Sequence, residues 1–498
     1  MVARVTALIV SLCIIAPATA QAVDTLWARY YDETEMDVAK CIGVDSEGNV
    51  YACGEPNWTV IKYYPNGDTA WFRQEGGEVF DMVVNDAGEL FMTGEETGFT
   101  VIKMNSSGDV DWSFSFGAGR GKAITMDASG NIYTTGYAYI DGTTGTDYLT
   151  IKHYPDGDTA WARTYSDDSY GTDYGNDVAV DPSGNVYVTG QSDAGSYLWD
   201  FVTVAYDSDG NELWSSIYHG VRDDVGISID VDAYGYACAT GHSKIYVDEG
   251  REDYLTIRYS PSGDTLWARR YDGLINFQDI PSEVIIDQAG DIYVTGTSYG
   301  SNERDYVTLK YNPDGDRLWR KIYWPGSDWA LGMCLDEAGN VYVTGRSSVE
   351  LGELSDWVTI RYLPDGTEDF VSRFDGPGNG RDYGYDVVVG SDNKFYVAGY
   401  VGQTPEYLSD FDFAVVAFSY GPAYTVGDAD GSSEVDIDDV VYLIAYIFSG
   451  GPPPDPLESG DADCSGDVDI DDVVYLIAYI FSGGPEPGDP DDDGVPDC

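Results

Sequence analysis

The chain predicts an all-β fold, an eight-bladed β-propeller closed by its own N-terminal strand, followed by a small all-α domain. Three observations carry this prediction. A phrase of the form Asp-x-x-Gly-Asn-Val-Tyr-Val-Thr-Gly recurs at 45–54, 85–94, 127–136, 181–190, 232–241, 287–296 and 336–345, with a worn copy at 390–399. An aromatic residue marks a further strand in each repeat, at Trp27, Trp71, Trp112, Trp161, Trp214, Trp267, Trp319 and, once, Phe370. Near the end, Val-Asp-Ile-Asp-Asp-Val-Val-Tyr-Leu-Ile-Ala-Tyr-Ile-Phe-Ser-Gly-Gly-Pro occurs twice, at 435–452 and 468–485.

Each repeat reads as four short strands: one entering the Asp-x-x-Gly turn, one leaving it, one of the type Asp147-Tyr-Leu-Thr-Ile-Lys-His-Tyr154, and the Trp strand, as in Thr159 to Tyr165. Alternating β-branched and aromatic residues between Gly and Asp-Gly turns favour strand over helix. Four strands at a period of forty to fifty-five residues describe propeller blades. The first Trp strand, 24–31, precedes the first anchor, and the eighth anchor is followed by 410–420 with no Trp strand, so the N-terminal strand should complete the last blade and remove its open edge. The repeats resemble the β-propeller repeat family called SBBP, whose name implies seven blades. Eight are expected here, with seven plus an irregular unit as the alternative.

One Trp per blade at a fixed register is expected to pack blade against blade. Trp199, Trp324, Trp329 and Trp357 fall outside that register and are the better candidates for ligand contact. Asp147, Asp200, Asp253, Asp305 and Asp356, with Asp410 in the worn unit, recur before the third strand and read as structural. The sequence offers little sign of catalysis. It has no nucleophile elbow, zinc helix, Cys-x-x-Cys or phosphate-binding glycine loop, and His153, His219 and His242 are its only histidines. His153 takes the place of Tyr259 or Tyr311 and should coat a strand. Carboxylates are too abundant for any glycosidase pair to stand out.

In the duplicated segment, Asp428, Asp430, Ser432, Glu434, Asp436 and Asp439 stand at positions 1, 3, 5, 7, 9 and 12 of a loop, and Asp461, Asp463, Ser465, Asp467, Asp469 and Asp472 repeat that spacing. Ca²⁺ takes six to eight hard oxygens, and this register supplies them. Each loop opens into an apolar helix that Gly-Gly stops, about one ordinary helix long and too short to cross a bilayer. Residues 426–488 resemble a type I dockerin nearly end to end. The resemblance implies calcium-dependent folding and docking of a helix face on a cohesin module, with positions 10 and 11, Ile437, Asp438, Ile470 and Asp471, choosing the partner. Their identity in both copies implies two equivalent faces. Serine at position 5 removes one charged ligand per site, and Ser433 replaces the Gly that the second loop keeps as Gly466 at the sharp turn, so the second site should be the tighter. The tail 489–498 looks like half of a thrombospondin type 3 calcium repeat and ends before a position-12 ligand.

Arg4, an apolar stretch to Ala16 and the ending Ala18-Thr19-Ala20 form a secretory signal, 1–20, so the protein is expected to be exported, without a transmembrane segment, and held at the surface only through a partner. The propeller then spans 21–420, the dockerin-like domain 421–488 and the acidic tail 489–498. With 26 Lys and Arg against 87 Asp and Glu, a net charge of −61 excludes nucleic acid and anionic membranes as natural partners. Cys41 and Cys53, symmetric about the first anchor turn, fit a cross-strand disulfide, and Cys464 with Cys498 would clip the tail; Cys238 and Cys334 read as buried thiols. The expected function is an exported, non-catalytic binding or scaffold propeller that presents a glycan or protein ligand face, docked through calcium to a cohesin-type partner. The dockerin resemblance implies extracellular polysaccharide degradation. The alternatives are a propeller glycoside hydrolase or lyase on such a scaffold, and a structural surface-layer component.

Overall fold

A computed structural model describes residues 22–33, 36–140, 145–166, 171–193, 198–244, 252–273, 277–300, 304–348, 354–391, 393–404, 410–421, 426–430, 432, 435–454, 457–465, 468–482, 484–485 and 487. The expected signal 1–20, the position-7 residues Glu434 and Asp467, the turn residues Ser433 and Gly466, the tail 489–498 and Cys498 lie outside them. The chain divides into two compact units, one spanning Val23–Ser419 and one containing Tyr420–Cys498.

The anchor phrase folds as its chemistry dictates. In the first copy Asp45 Oδ1 accepts the N–H groups of Glu47 and Asn49, and the Asn49 amide and the Tyr51 hydroxyl return to the same carboxylate. Gly48 takes φ +77°, which closes the turn without the Cβ penalty of other residues. Asp127, Asp181 and Asp336 hold the same network with their own Asn and Tyr. The phrase is therefore one hydrogen-bonded unit rather than a loose consensus.

Repetition of this unit gives eight four-stranded antiparallel sheets among the described residues, seven of them with their strands in chain order. Blades 1 to 7 occupy 38–74, 78–116, 119–165, 173–218, 224–271, 279–323 and 328–374. Blade 8 is made of Tyr383–Val389, Lys394–Gly402 and Phe411–Gly421, and its fourth strand is Ala22–Tyr31 from the other end of the propeller. The first strands of successive blades meet one another, and blade 1 meets blade 8, so first strands surround the axis and Trp strands lie outermost. The propeller has eight blades, closed as expected.

The Trp strands join neighbours. Trp161 Nε1 donates to the Ser208 carbonyl in the outer turn of the next blade, and Trp27, Trp71, Trp112, Trp214, Trp267 and Trp319 repeat the contact one blade at a time. The indole lies on the turn glycine: a Cβ added to Gly263 would sit 2.5 Å from Trp214. Buried side chains from adjoining blades form the cores between them, such as Tyr187, Phe201 and Ala205 with Ile229, Leu255 and Tyr259.

Two expectations are corrected in the strands. Cys41 and Cys53 do stand opposite each other but are free thiols, and no disulfide joins them; the Cys41 Sγ instead donates to the Phe80 carbonyl of blade 2 at 3.5 Å. In blade 8 the recurring carboxylate is Asp412, not Asp410. Asp412 pairs with Val401 as Asp253 pairs with Ser243 and Asp305 with Ser298, because Asp412-Phe-Ala-Val-Val, and not the segment from Asp410, is the counterpart of Asp147-Tyr-Leu-Thr-Ile.

The C-terminal unit holds two helices of identical sequence, α1 (Ile437–Ser449) and α2 (Ile470–Ser482). Asp436 and Asp439 form a capping box at the start of α1, and Gly450 ends it in the left-handed region. Val440, Leu443, Val473 and Leu476 pack with Ala429 and Ala462 into a small shared core.

Candidate functional site

Three of the six expected calcium ligands converge in each loop. Asp428, Asp430 and Asp439 each place a carboxylate oxygen within 4.8 Å of the others, and Asp461, Asp463 and Asp472 do the same. Backbone amides set this arrangement. Ser432 N–H donates to Asp428 and Asp430, while Asp430 and Asp436 donate to the two oxygens of Asp439 at 3.1 and 2.8 Å. The second loop repeats each of these bonds through Ser465, Asp463 and Asp469. Burial pushes the Asp472 carboxyl up to about 6, with Asp463 and Asp461 adding to the rise against its backbone hydrogen bonds. Three carboxylates at one point, in a segment 421–498 whose sequence has no Lys, Arg or His, fit a hard divalent ion. The Asp436 and Asp469 side chains instead cap the helices, accepting from Asp438 and Asp471 at 2.7 Å. Ser432 and Ser465 are exposed on the loops. Cys464 is disulfide-bonded, and its expected partner Cys498 lies outside the described residues.

Each helix leaves one apolar strip outside the shared core. On α1 it is Ile437, Val441, Ile444 and Phe448, and on α2 Ile470, Val474, Ile477 and Phe481; Phe448 and Phe481 are 64 % and 65 % exposed. The spacing i, i+4, i+7, i+11 places each strip on one face. Asp438 and Asp471 are exposed beside the first residue of their strips.

On the propeller, four acids missed in the sequence ring the axis at alternate blades. Asp81, Asp177, Glu283 and Asp386 follow the register shift of their first strands in blades 2, 4, 6 and 8, where Cys41, Ala123, Ser228 and Gly332 stand in the others. Each accepts a backbone N–H of the next blade, from Ile124, Ile229, Met333 and Ile42 at 2.6 to 2.9 Å. Burial pushes Asp81 up to about 8, Asp177 and Asp386 to about 6, and Glu283 well above its ordinary range, and the charges of Asp177 and Asp386 add to the rise at Asp81 and Glu283. The sequence signal is an acid or a small residue four positions before each anchor. Two further acidic groups, Asp253 with Asp272 and Asp279, and Asp356 with Asp375 and Asp382, lie at blade seams, each with an arginine on it, Arg270 or Arg373.

The two faces of the propeller differ. The anchor turns and the Pro-Asp-Gly turns, alike in most blades, lie on one. The connections from second to third strand and from blade to blade, which vary in length, lie on the other. Three of the four non-register tryptophans belong to this variable face: Trp324 is 73 % exposed, Trp199 packs on Tyr174 with ring centroids 5.6 Å apart, and Trp329 borders a cavity of about 220 Å³ between blades 6 and 7. Trp357 does not serve there. It is 1 % exposed and its Nε1 donates to the Tyr400 carbonyl at 2.9 Å, because it fills the slot of Tyr148, Tyr254 and Tyr306 after the recurring Asp. His153 is buried between Trp112 and Phe114, its pKa lowered to about 4 by burial. His219 Nδ1 lies 2.8 Å from Asp200.

These features define an eight-bladed β-propeller followed by a two-helix acidic-loop module. The model of the SBBP β-propeller repeat family matches residues 161–197. A search of curated proteins gives no match. Among solved structures the chain is similar to the Dos1 propeller, at 9 % identity and TM-score 0.51 over 79 % of this chain and 95 % of that one. It is also similar to the C-terminal WD40 domain of Sif2, at 10 % identity and TM-score 0.50 over 80 % and 99 %. A protein of unknown function from Bacteroides caccae aligns at 10 % identity and TM-score 0.34 over 57 % and 94 %. The first two likenesses concern the fold alone. No helix among the described residues is long and apolar enough to cross a membrane.

Proposed function

We propose that this is an exported, non-catalytic binding propeller, attached by a calcium-dependent dockerin-like module to a cohesin-type domain of another protein. The propeller fold supports a binding or scaffold role in general. The observation that carries the docking role is the duplicated apolar strip. Two helices of one sequence share a core through Val440, Leu443, Val473 and Leu476, yet each leaves four further apolar residues outside it at matched exposure. A module serving only as a cap would have little use for a second, identical strip. Calcium in the two loops would order the helices and so set the strips. The resemblance of the tail links the assembly to extracellular polysaccharide degradation, with the variable face holding the ligand.

The channel-hydrolase alternative draws on the four axial acids, but each is already committed to a backbone amide of the next blade, which favours a structural role for them. The full chain, immobilised, should retain a cohesin-bearing protein from secreted and envelope fractions with Ca²⁺ and release it with a chelator. Replacing Phe448 and Phe481 together by Glu should abolish retention. Retention that ignores both the chelator and the double variant would refute the docking role.

A further inference from the structure

Blades 6, 7 and 8 share a cationic stack that the acidic chain does not neutralise. The Arg304 guanidinium lies 4.0 Å from the Trp329 ring centroid, and Arg346 lies 4.3 Å from Trp329 and 4.4 Å from Tyr383. Among the described residues neither arginine forms an ion pair, although acids outnumber bases 87 to 26 and Arg258, Arg361 and Arg373 have all found carboxylates. The Arg346 Nε and the Trp329 Nε1 are both buried donors without an acceptor. Buried donors in native structures are almost always satisfied, so the Trp329 Nε1, on a residue that lines a cavity, marks a place for an acceptor. Arg304 and Trp329 line that cavity of about 220 Å³ together with Ile280, Tyr299, Ala330 and Leu331, whereas Arg346, between Trp329 and Tyr383, is not part of the lining.

We infer that this cavity is a binding site for a small organic carboxylate with an apolar or aromatic body. A guanidinium presents N–H groups in a planar fork that matches the two oxygens of a carboxylate. The apolar lining takes the body, and a cavity of this size admits one small ring rather than a long chain. In a protein of net charge −61 an anion approaches the surface against the overall field, so the uncompensated Arg304 is what makes this place receptive. The site deepens the binding role proposed for the propeller and rests on that role alone, since the docking module takes no part in it.

Calorimetric titration of the full chain with benzoate, in chelator and without any partner, tests the assignment. Benzoate should bind once per chain; benzamide, which keeps the ring and loses the charge, and acetate, which keeps the charge and loses the ring, should each bind at least about tenfold more weakly. Arg304→Gln should weaken benzoate by about tenfold or more while leaving the unfolding midpoint within a few degrees of the parent, and Arg346→Gln, outside the lining, should weaken it less. Benzamide binding as well as benzoate, no benzoate binding at millimolar concentration, or an Arg304→Gln variant that binds normally would overturn the site. Variants that lower the unfolding midpoint without changing benzoate affinity would make the stack structural and overturn it equally. Because docking plays no part in the titration, failure of the pull-down leaves this result standing, and the reverse holds too.

Discussion

At the scale of single residues, the interblade tryptophans and the axial acids make opposite demands. Trp161 is almost wholly buried and spends its one donor on the next blade, so Trp161→Ala should cost about 3–5 kcal/mol. Trp161→Phe should cost less, since Phe370 already fills the same place in blade 7. Urea unfolding of the two variants measures the difference, and equal midpoints would mean that the packed ring, which phenylalanine keeps, contributes nothing. Part of this was legible beforehand, because a Trp at one register in seven repeats has a common cause. The role of Trp357 was misread: it follows Asp356 as Tyr148 follows Asp147, and that register already assigned it to the interior. The Arg304 and Arg346 stack was not legible, since the two arginines stand at different positions of the repeat and only Trp329 and Tyr383 share one.

At the scale of elements, each loop and its helix form one device. The position-12 carboxylate that should hold calcium also accepts the amide that begins the helix, through Asp439 in α1 and Asp472 in α2. Asp439→Asn and Asp472→Asn should therefore each remove one calcium and fray one helix. If Gly466 eases the second turn as the sequence implies, Asp472→Asn should abolish the tighter of two binding events in a calcium titration; loss of the weaker event instead would reverse that order. Both loops and both helices were readable because two copies keep one register. The exposure of the apolar strips was not, because periodicity marks an apolar face without saying what covers it.

For the whole molecule, charge sets a pH optimum. The carboxyls of Asp81, Asp177, Glu283 and Asp386 are raised above the unfolded value of about 4, so the folded propeller holds protons that the unfolded chain releases. Their contribution is greatest below about pH 4 and is lost as pH rises through about 6 to 8. Burial opposes ionisation of Asp45 and Asp127 too, but hydrogen bonds from Asn49 and Asn131, from backbone amides and from Tyr51 and Tyr133 outweigh it and lower both pKa values, so their contribution is lost in acid. Thermal unfolding in chelator should give its highest midpoint between about pH 4 and 6. Glu283→Gln with Asp81→Asn should flatten the alkaline limb, which separates these acids from the general repulsion of a −61 chain. A midpoint that climbs steadily to pH 8 would contradict the ring of raised carboxyls.

The closure of blade 8 by Ala22–Tyr31 also ties the order of synthesis to the order of assembly. The first strand of the propeller to be made has no mate until the last, Phe411–Gly421, has been made, so the circle stays open throughout the chain's emergence and shuts in one final step. Until then one copy's early strand is free to complete the late blade of another. Crowded nascent chains would thus exchange strands, and a chain delivered singly across a membrane would find its own.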